Sequence, residues 1–172
     1  YLDRTFDHQQ STAGELYMDF RADVDQFGIN QNTTIYGHHM RDGTMLAGLD
    51  GYMRKSYYND HQYFTFHSLW NTYHFRVFSV FIINMKVKED KDFEFRMPSY
   101  ENQEDFLELI DALKARSMYD TGVQVKENDT IMNLITCTYP TGNPAVDDAR
   151  LVVVGRLCTD QEEIKAAEAA LK

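Results

Sequence analysis

The run TIMNLITC (residues 130–137), the connection TYPTGNPAVDDA (138–149) and the run RLVVVGRL (150–157) decide how this chain folds. Residues 131–137 and 151–157 are short, apolar and rich in β-branched side chains, the composition of largely buried strands. The twelve residues between them include Pro140, Gly142, Asn143 and Pro144, which favour turn dihedrals and make a loop. Cys137 therefore ends one strand and Arg150 opens the next. If the two strands pair, the loop brings a thiol and a guanidinium to the same rim of one sheet. Alone, Cys137 reads as a small buried apolar residue, and Arg150 as a solvated flank. A third element is needed to make a site.

That element lies upstream, in Ile35-Tyr36-Gly37-His38-His39-Met40, an apolar strand end followed by glycine and histidine. Strand-Gly-His, strand-Thr-Cys and Arg-strand, in that order, resemble the sortases, the cysteine transpeptidases of Gram-positive cell surfaces. In that family the histidine sits in a Gly-His pair, the cysteine follows a Thr-Leu-x-Thr pattern and an arginine begins the next strand. The resemblance assigns these positions to His38, Cys137 and Arg150. Leu134, Thr136 and Cys137 match the cysteine motif, whereas its first threonine is replaced by Asn133.

Composition is consistent with this reading. At 172 residues the chain is read as one domain, residues 1–172, long enough for a sizeable core. Its 11 Tyr and 11 Phe suit a β-rich fold. A net charge of −10 argues against a nucleic-acid or anionic-membrane surface, both of which need basic patches. The two cysteines lack a CxxC spacing, which excludes a disulfide scaffold and a zinc ribbon. No metal and no cofactor is assigned. No apolar run is long enough to span a membrane, and the sequence opens at Tyr1 without a signal peptide. Sortases share an N-terminal membrane anchor, so the resemblance implies one upstream of this sequence and a place on the extracellular face of the plasma membrane.

In chain order, residues 14–19 read as a short first strand and 33–36 as the next. Met45, Leu46, Leu49, Tyr52 and Met53 recur at helical spacing and predict a short helix, weakened by Gly48 and Gly51. Residues 63–67, 72–80 and 81–87 read as strands, with a turn at Trp70-Asn71 and a charged turn at KEDK (88–91). The clearest helix is 101–118, where Phe106, Leu109, Ile110 and Leu113 form one apolar stripe and acidic residues crowd the N-terminus. A last helix over 161–171 has Asp160 and Glu163 spaced as a capping box, with Ile164, Ala167 and Leu171 as its packing face. The expected fold is mainly β with helices: a sortase-type closed β-barrel of about eight strands, a long helix before the cysteine strand and a C-terminal helix. That helix, the Thr-Ile-Met-x-Leu-x-Thr-Cys run and the opening Tyr-Leu…Gly-x-x-x-x-Asp are similar to class B.

The resemblance also implies a mechanism. Thiolate rather than thiol attacks a carbonyl, and a free cysteine is mostly protonated at neutral pH. A neighbouring imidazolium and guanidinium would favour the thiolate. Cys137 would attack the threonine carbonyl of a sorting signal, Arg150 would stabilise the oxyanion, and His38 would protonate the departing amine and later deprotonate the incoming one. Partners would be sorting-signal peptides of surface proteins and an amine acceptor, either a peptidoglycan cross-bridge or a pilin lysine. Ile135, Thr136 and Thr138 flank the nucleophile as candidate substrate contacts. Phe93 and Phe95, in the segment 93–99 that closes over the peptide in class B enzymes, are candidate pocket walls. Adjacent strand residues face opposite sides, so His39 does not share the role of His38 and reads as a polar surface residue. Arg156 shares the face of Arg150 but stands about 20 Å away along an extended strand. Cys158, past the strand end, reads as structural.

Two other classes compete. A hydrolytic cysteine peptidase would use the same pair, but a papain-like enzyme carries its cysteine upstream of its histidine, the reverse of the order here. A non-catalytic β-barrel binding module has no need for an intact trio.

Overall fold

The computed structural model describes residues 3–143 and 147–171. Tyr1 and Leu2 of the opening motif, Pro144 of the loop and the terminal Lys172 lie outside them. Strands β1 (Tyr17–Met18), β2 (Val24–Asp25), β3 (Gly28–Ile29) and β4 (Asn32–Tyr36) come first. A 3-10 helix (Ala47–Met53) and α1 (Lys55–Asp60) follow. Then come β5 (Tyr63–His67), β6 (Thr72–Asn84), α2 (Lys88–Lys91), α3 (Gln103–Arg116), β7 (Ile131–Thr138), β8 (Ala149–Leu157) and α4 (Gln161–Ala170).

Six strands form one curled sheet in the order β1-β4-β7-β8-β6-β5, a half-barrel, while β2 and β3 form a separate two-stranded ribbon. The expected mainly β fold with a long helix ahead of the cysteine strand is present. The central β7 and β8 pair antiparallel, and β4 joins β7 in parallel. A parallel pair needs a long crossover, and everything from the 3-10 helix through α3 lies in it. Burial explains the near-continuous apolar runs of the two central strands: Ile131, Met132, Leu151, Val152, Val153 and Val154 are inaccessible to solvent.

Helix α3 covers one face of the sheet through the stripe read from sequence, with Phe106, Leu109, Ile110 and Leu113 in one cluster with Phe78, Phe81, Ile131, Ile135 and Val152. Removing one such leucine side chain typically costs about 2–5 kcal/mol, so this helix is a firm support for the sheet. Asn102 caps it by accepting the Asp105 amide. At α4 only half of the capping box forms. Asp160 accepts the Glu162 and Glu163 amides, but the Glu163 carboxylate turns to Arg156 and Arg76 instead. Of the expected packing face Ala167 is buried, while Leu171 is exposed because the helix ends beside it.

Other expectations shift in detail. The strands expected over 72–80 and 81–87 merge into one, β6, which ends at Asn84 with 85–87 in a turn, and it carries a register irregularity between Val77 and Ser79. The first strand shrinks to two residues, the helix predicted over 45–53 is a 3-10 turn followed by α1, and KEDK forms the short α2.

Candidate active site

The register places the site. Cys137 is the direct partner of Arg150 across the β7–β8 pair, so thiol and guanidinium start from facing positions on one rim. On the other side of β7, Tyr36 pairs with Ile135. The parallel contact continues beyond the strand, because the Gly37 amide donates to the Ile135 carbonyl at 3.1 Å. Thr136 then donates its hydroxyl to the Gly37 carbonyl at 2.9 Å. Two residues beyond the Tyr36–Ile135 pair, His38 just past the end of β4 and Cys137 near the end of β7 come to the same rim. Gly37 keeps this corner tight, since a Cβ there would lie 2.3 Å from a Leu16 methyl and 2.8 Å from Leu46 Cγ and would force those side chains to shift. His38, Cys137 and Arg150 together line a cleft of about 310 Å³.

The expected substrate contacts divide. Ile135, Thr136 and Phe95 line the cleft. Thr138 is buried beside Ala149 and does not. Phe93 stands behind the wall, stacked on Phe95 at 5.4 Å and covered by the Arg116 guanidinium at 4.2 Å. It supports Phe95 and is not itself part of the cleft wall. Arg150 Nη1 donates to the Asp148 carboxylate and to the Ala149 carbonyl, both at 3.0 Å.

The sortase-domain family model matches residues 6–158. The chain belongs to the sortase family. Against sortase B of Staphylococcus aureus the sortase domain is 31 % identical over 137 residues, covering 80 % of this chain and 53 % of that protein. Against sortase B of Listeria monocytogenes it is 29 % identical over 159 residues, 92 % of this chain and 60 % of the relative. The chain thus spans little more than half the length of these relatives. A Staphylococcus aureus sortase B–substrate complex superposes with a TM-score of 0.76 at 30 % identity, over 92 % of this chain and 68 % of that one. Clostridium perfringens sortase B gives 0.77 at 28 % identity, over 92 % and 80 %. These relatives place the sortase domain in class B.

Several residues around the cleft are not legible in the sequence of this sortase. Tyr17 lines the cleft from β1 and stacks on Tyr36 with ring centroids 5.1 Å apart. Burial raises its phenol pKa, the nearby Cys137 adds to that, and Arg150 opposes it. The Tyr36 hydroxyl donates to Asp19 at 2.9 Å, and Asp19 is gripped by Arg21 at 2.9 and 3.0 Å. Asn133, at the departure from the family motif, finds its own partners: its amide donates to Asn32 Oδ1 at 2.7 Å and to Thr34 at 3.0 Å. Asn32 in turn donates to the carbonyls of Phe95 and Met97. A buried amide pair thus ties the Cys137 strand to the cleft wall through the Asn133 and Asn32 N–H donors. Asn133 Oδ1 is left buried without a partner among the described residues, an arrangement that costs part of what the pair contributes.

The Asp19 network has a pH signature. Hydrogen bonds from Arg21 hold the Asp19 carboxyl at about 2, below its ordinary 3.8. A folded-state pKa below the unfolded one stabilises the fold above the unfolded value, and the gain is lost as pH falls through the folded one. Asp19→Asn therefore lowers urea stability at pH 7, and the gap from wild type narrows between about pH 4 and pH 2. A gap of constant size across that window would remove the assignment.

Proposed function

We propose that this sortase domain, residues 1–172, acts as one catalytic unit that cleaves a sorting signal and transfers the acyl part to an amine. The observation that carries the reading is the convergence of His38, Cys137 and Arg150 on one cleft through strand register. The Cys137 thiolate attacks the carbonyl carbon of a threonine in the signal. Arg150 keeps Nε and Nη2 clear of protein acceptors among the described residues, so these donors meet the oxyanion. The C–N bond then breaks as the departing amine takes a proton from the His38 imidazolium, leaving a thioester on Cys137. An incoming amine loses its proton to neutral His38 and attacks the thioester, and the C–S bond breaks to restore the thiolate.

Staphylococcus aureus sortase B has been solved with a substrate, and a sortase B has been solved with triglycine. By that likeness the acceptor is a peptide amine such as that of a peptidoglycan cross-bridge. The same likeness supports a place on the extracellular face of the plasma membrane, held by an anchor outside this sequence. No described helix is long and apolar enough to cross a membrane.

Incubation with a panel of sorting peptides, with and without triglycine, tests this by mass spectrometry. A thioester adduct on Cys137 that triglycine resolves to a longer peptide is expected. An adduct resolved only by water would make the domain a hydrolase. His38→Ala is expected to lower single-turnover acylation by roughly 10²–10⁴-fold, the usual reach of general acid–base catalysis, and near-normal acylation would remove His38 from the mechanism.

A further inference from the structure

The second histidine of the Gly-His-His run is not a surface residue. The His39 side chain is only 17 % exposed, and its Nε2 stands 2.6 Å from Asp50 Oδ2. An ionised carboxylate only accepts, so Nε2 is the donor, and the short separation marks a charge-assisted bond. On its other side the ring meets Tyr139 edge-on, with centroids 5.7 Å apart and planes at 83°. His39 Nδ1 and Asp50 Oδ1 are buried without partners, so the Nε2–Oδ2 contact is the one polar anchor of this ring among the described residues.

Three segments meet at this point, and two of them run directly on from cleft residues, His38 and Cys137. His39 directly follows His38. Asp50 sits in the 3-10 helix, folded back by a turn in which His39 bridges to Met45 and the Leu46 amide donates to the His38 carbonyl at 3.0 Å. Met45 takes a positive φ of 57° to close that turn, a strained conformation for a non-glycine residue. Tyr139 lies two residues beyond Cys137. Neighbouring residues of an extended segment point to opposite sides. With His39 held on the Asp50 side, His38 is left facing the cleft, and rotation of one about the backbone carries the other with it.

We infer that His39, gripped by Asp50 and seated against Tyr139, is a positioning residue that sets where the His38 imidazole stands relative to Cys137. The inference rests on the transpeptidase reading for its kinetic consequence, but its structural half needs no substrate. Misplacing a catalytic group by about 1 Å costs up to roughly 100-fold. Asp50→Ala and His39→Ala are expected to lower kcat by about 10- to 100-fold with KM within about twofold, and His39→Gln, which can still donate to Asp50, recovers part of the loss. A double substitution should cost no more than either single one, as for partners in one interaction.

The test couples two measurements on the whole chain. Peptide transfer gives kcat and KM, normalised to folded protein by thermal melting. Histidine-labelled NMR reads the imidazole resonances without substrate. Displaced His38 resonances in Asp50→Ala, with those of His61, His67 and His74 unmoved, together with the kcat loss, are the expected result. Unmoved His38 resonances would overturn the inference, as would displaced resonances with kcat per folded molecule unchanged. A wild-type chain inert towards every peptide would overturn the transpeptidase reading alone, since the resonances still report whether the pair holds His38.

Discussion

Cys137→Ala is expected to abolish both cleavage of a sorting peptide and its transfer while leaving the fold intact. The substitution deletes one sulfur at the rim of the sheet, where the Cys137 side chain is partly exposed. The β7–β8 ladder is made of backbone groups and survives. The chemical step has no substitute, because no other thiol reaches the cleft. Cys158 is the second cysteine, but it is buried, and burial with the nearby Glu163 raises its thiol to about 11. It also lies eight positions beyond Arg150, about 26 Å along an extended strand. Losing a covalent nucleophile costs on the order of 10⁶ in kcat where it has been measured in a serine peptidase, so turnover should fall to the assay background. Thiol alkylation should modify wild type once at neutral pH, at Cys137. Cys158→Ala should retain most activity, with any loss appearing in melting temperature. A silent Cys158 variant beside an active Cys137 variant would reverse the assignment.

The parts of this site legible in the sequence are those carried by strand ends. Cys137 and Arg150 bracket a loop between two apolar runs, and an antiparallel pair joined by such a loop must bring its inner ends together. The helix over Gln103–Arg116 is equally legible, because its stripe repeats over several turns. What escapes depends on contacts distant in sequence or on backbone geometry with no periodic signal. Strand β6 reads as two pieces because the irregularity at Val77/Ser79 breaks the alternation, leaving Val77, Phe78, Ser79 and Val80 all buried. A 3-10 turn and an α-helix place apolar residues at similar spacing, so periodicity does not separate them over seven residues. Strand alternation sets His39 facing away from His38 without saying what it meets there. Its partner, Asp50, is brought by a tight turn at Met45 that composition does not announce. Phe93 and Phe95 share a face of an extended segment, yet only Phe95 reaches the cleft, because Arg116 from α3 caps the other ring.

Arg150→Ala is expected to lower kcat by ~10²–10³, the usual cost of removing one oxyanion donor, and to raise KM much less. The asymmetry follows from when the charge exists. The oxyanion forms only around the transition state, so a group aimed at it contributes little to ground-state binding. Arg150 is suited to this because its donors are divided. Nη1 is spent on Asp148 and the Ala149 carbonyl, which fixes the guanidinium plane, while the remaining N–H groups stay directed elsewhere. A lysine has no such division. Its three donors radiate from a single atom, and the Asp148 carboxylate would compete with the oxyanion for that one charge. Arg150→Lys should therefore recover only part of the rate, and Asp148→Ala in the lysine background should recover more. Arg156→Ala is the internal control: its guanidinium is held by Glu163 at the far end of β8, so its loss should appear in stability and not in catalysis. Steady-state kinetics on a cleavable sorting peptide decides between the roles. A lysine variant at full rate, or an alanine variant changed only in KM, would make Arg150 a substrate-binding charge and leave the oxyanion to backbone amides near Cys137.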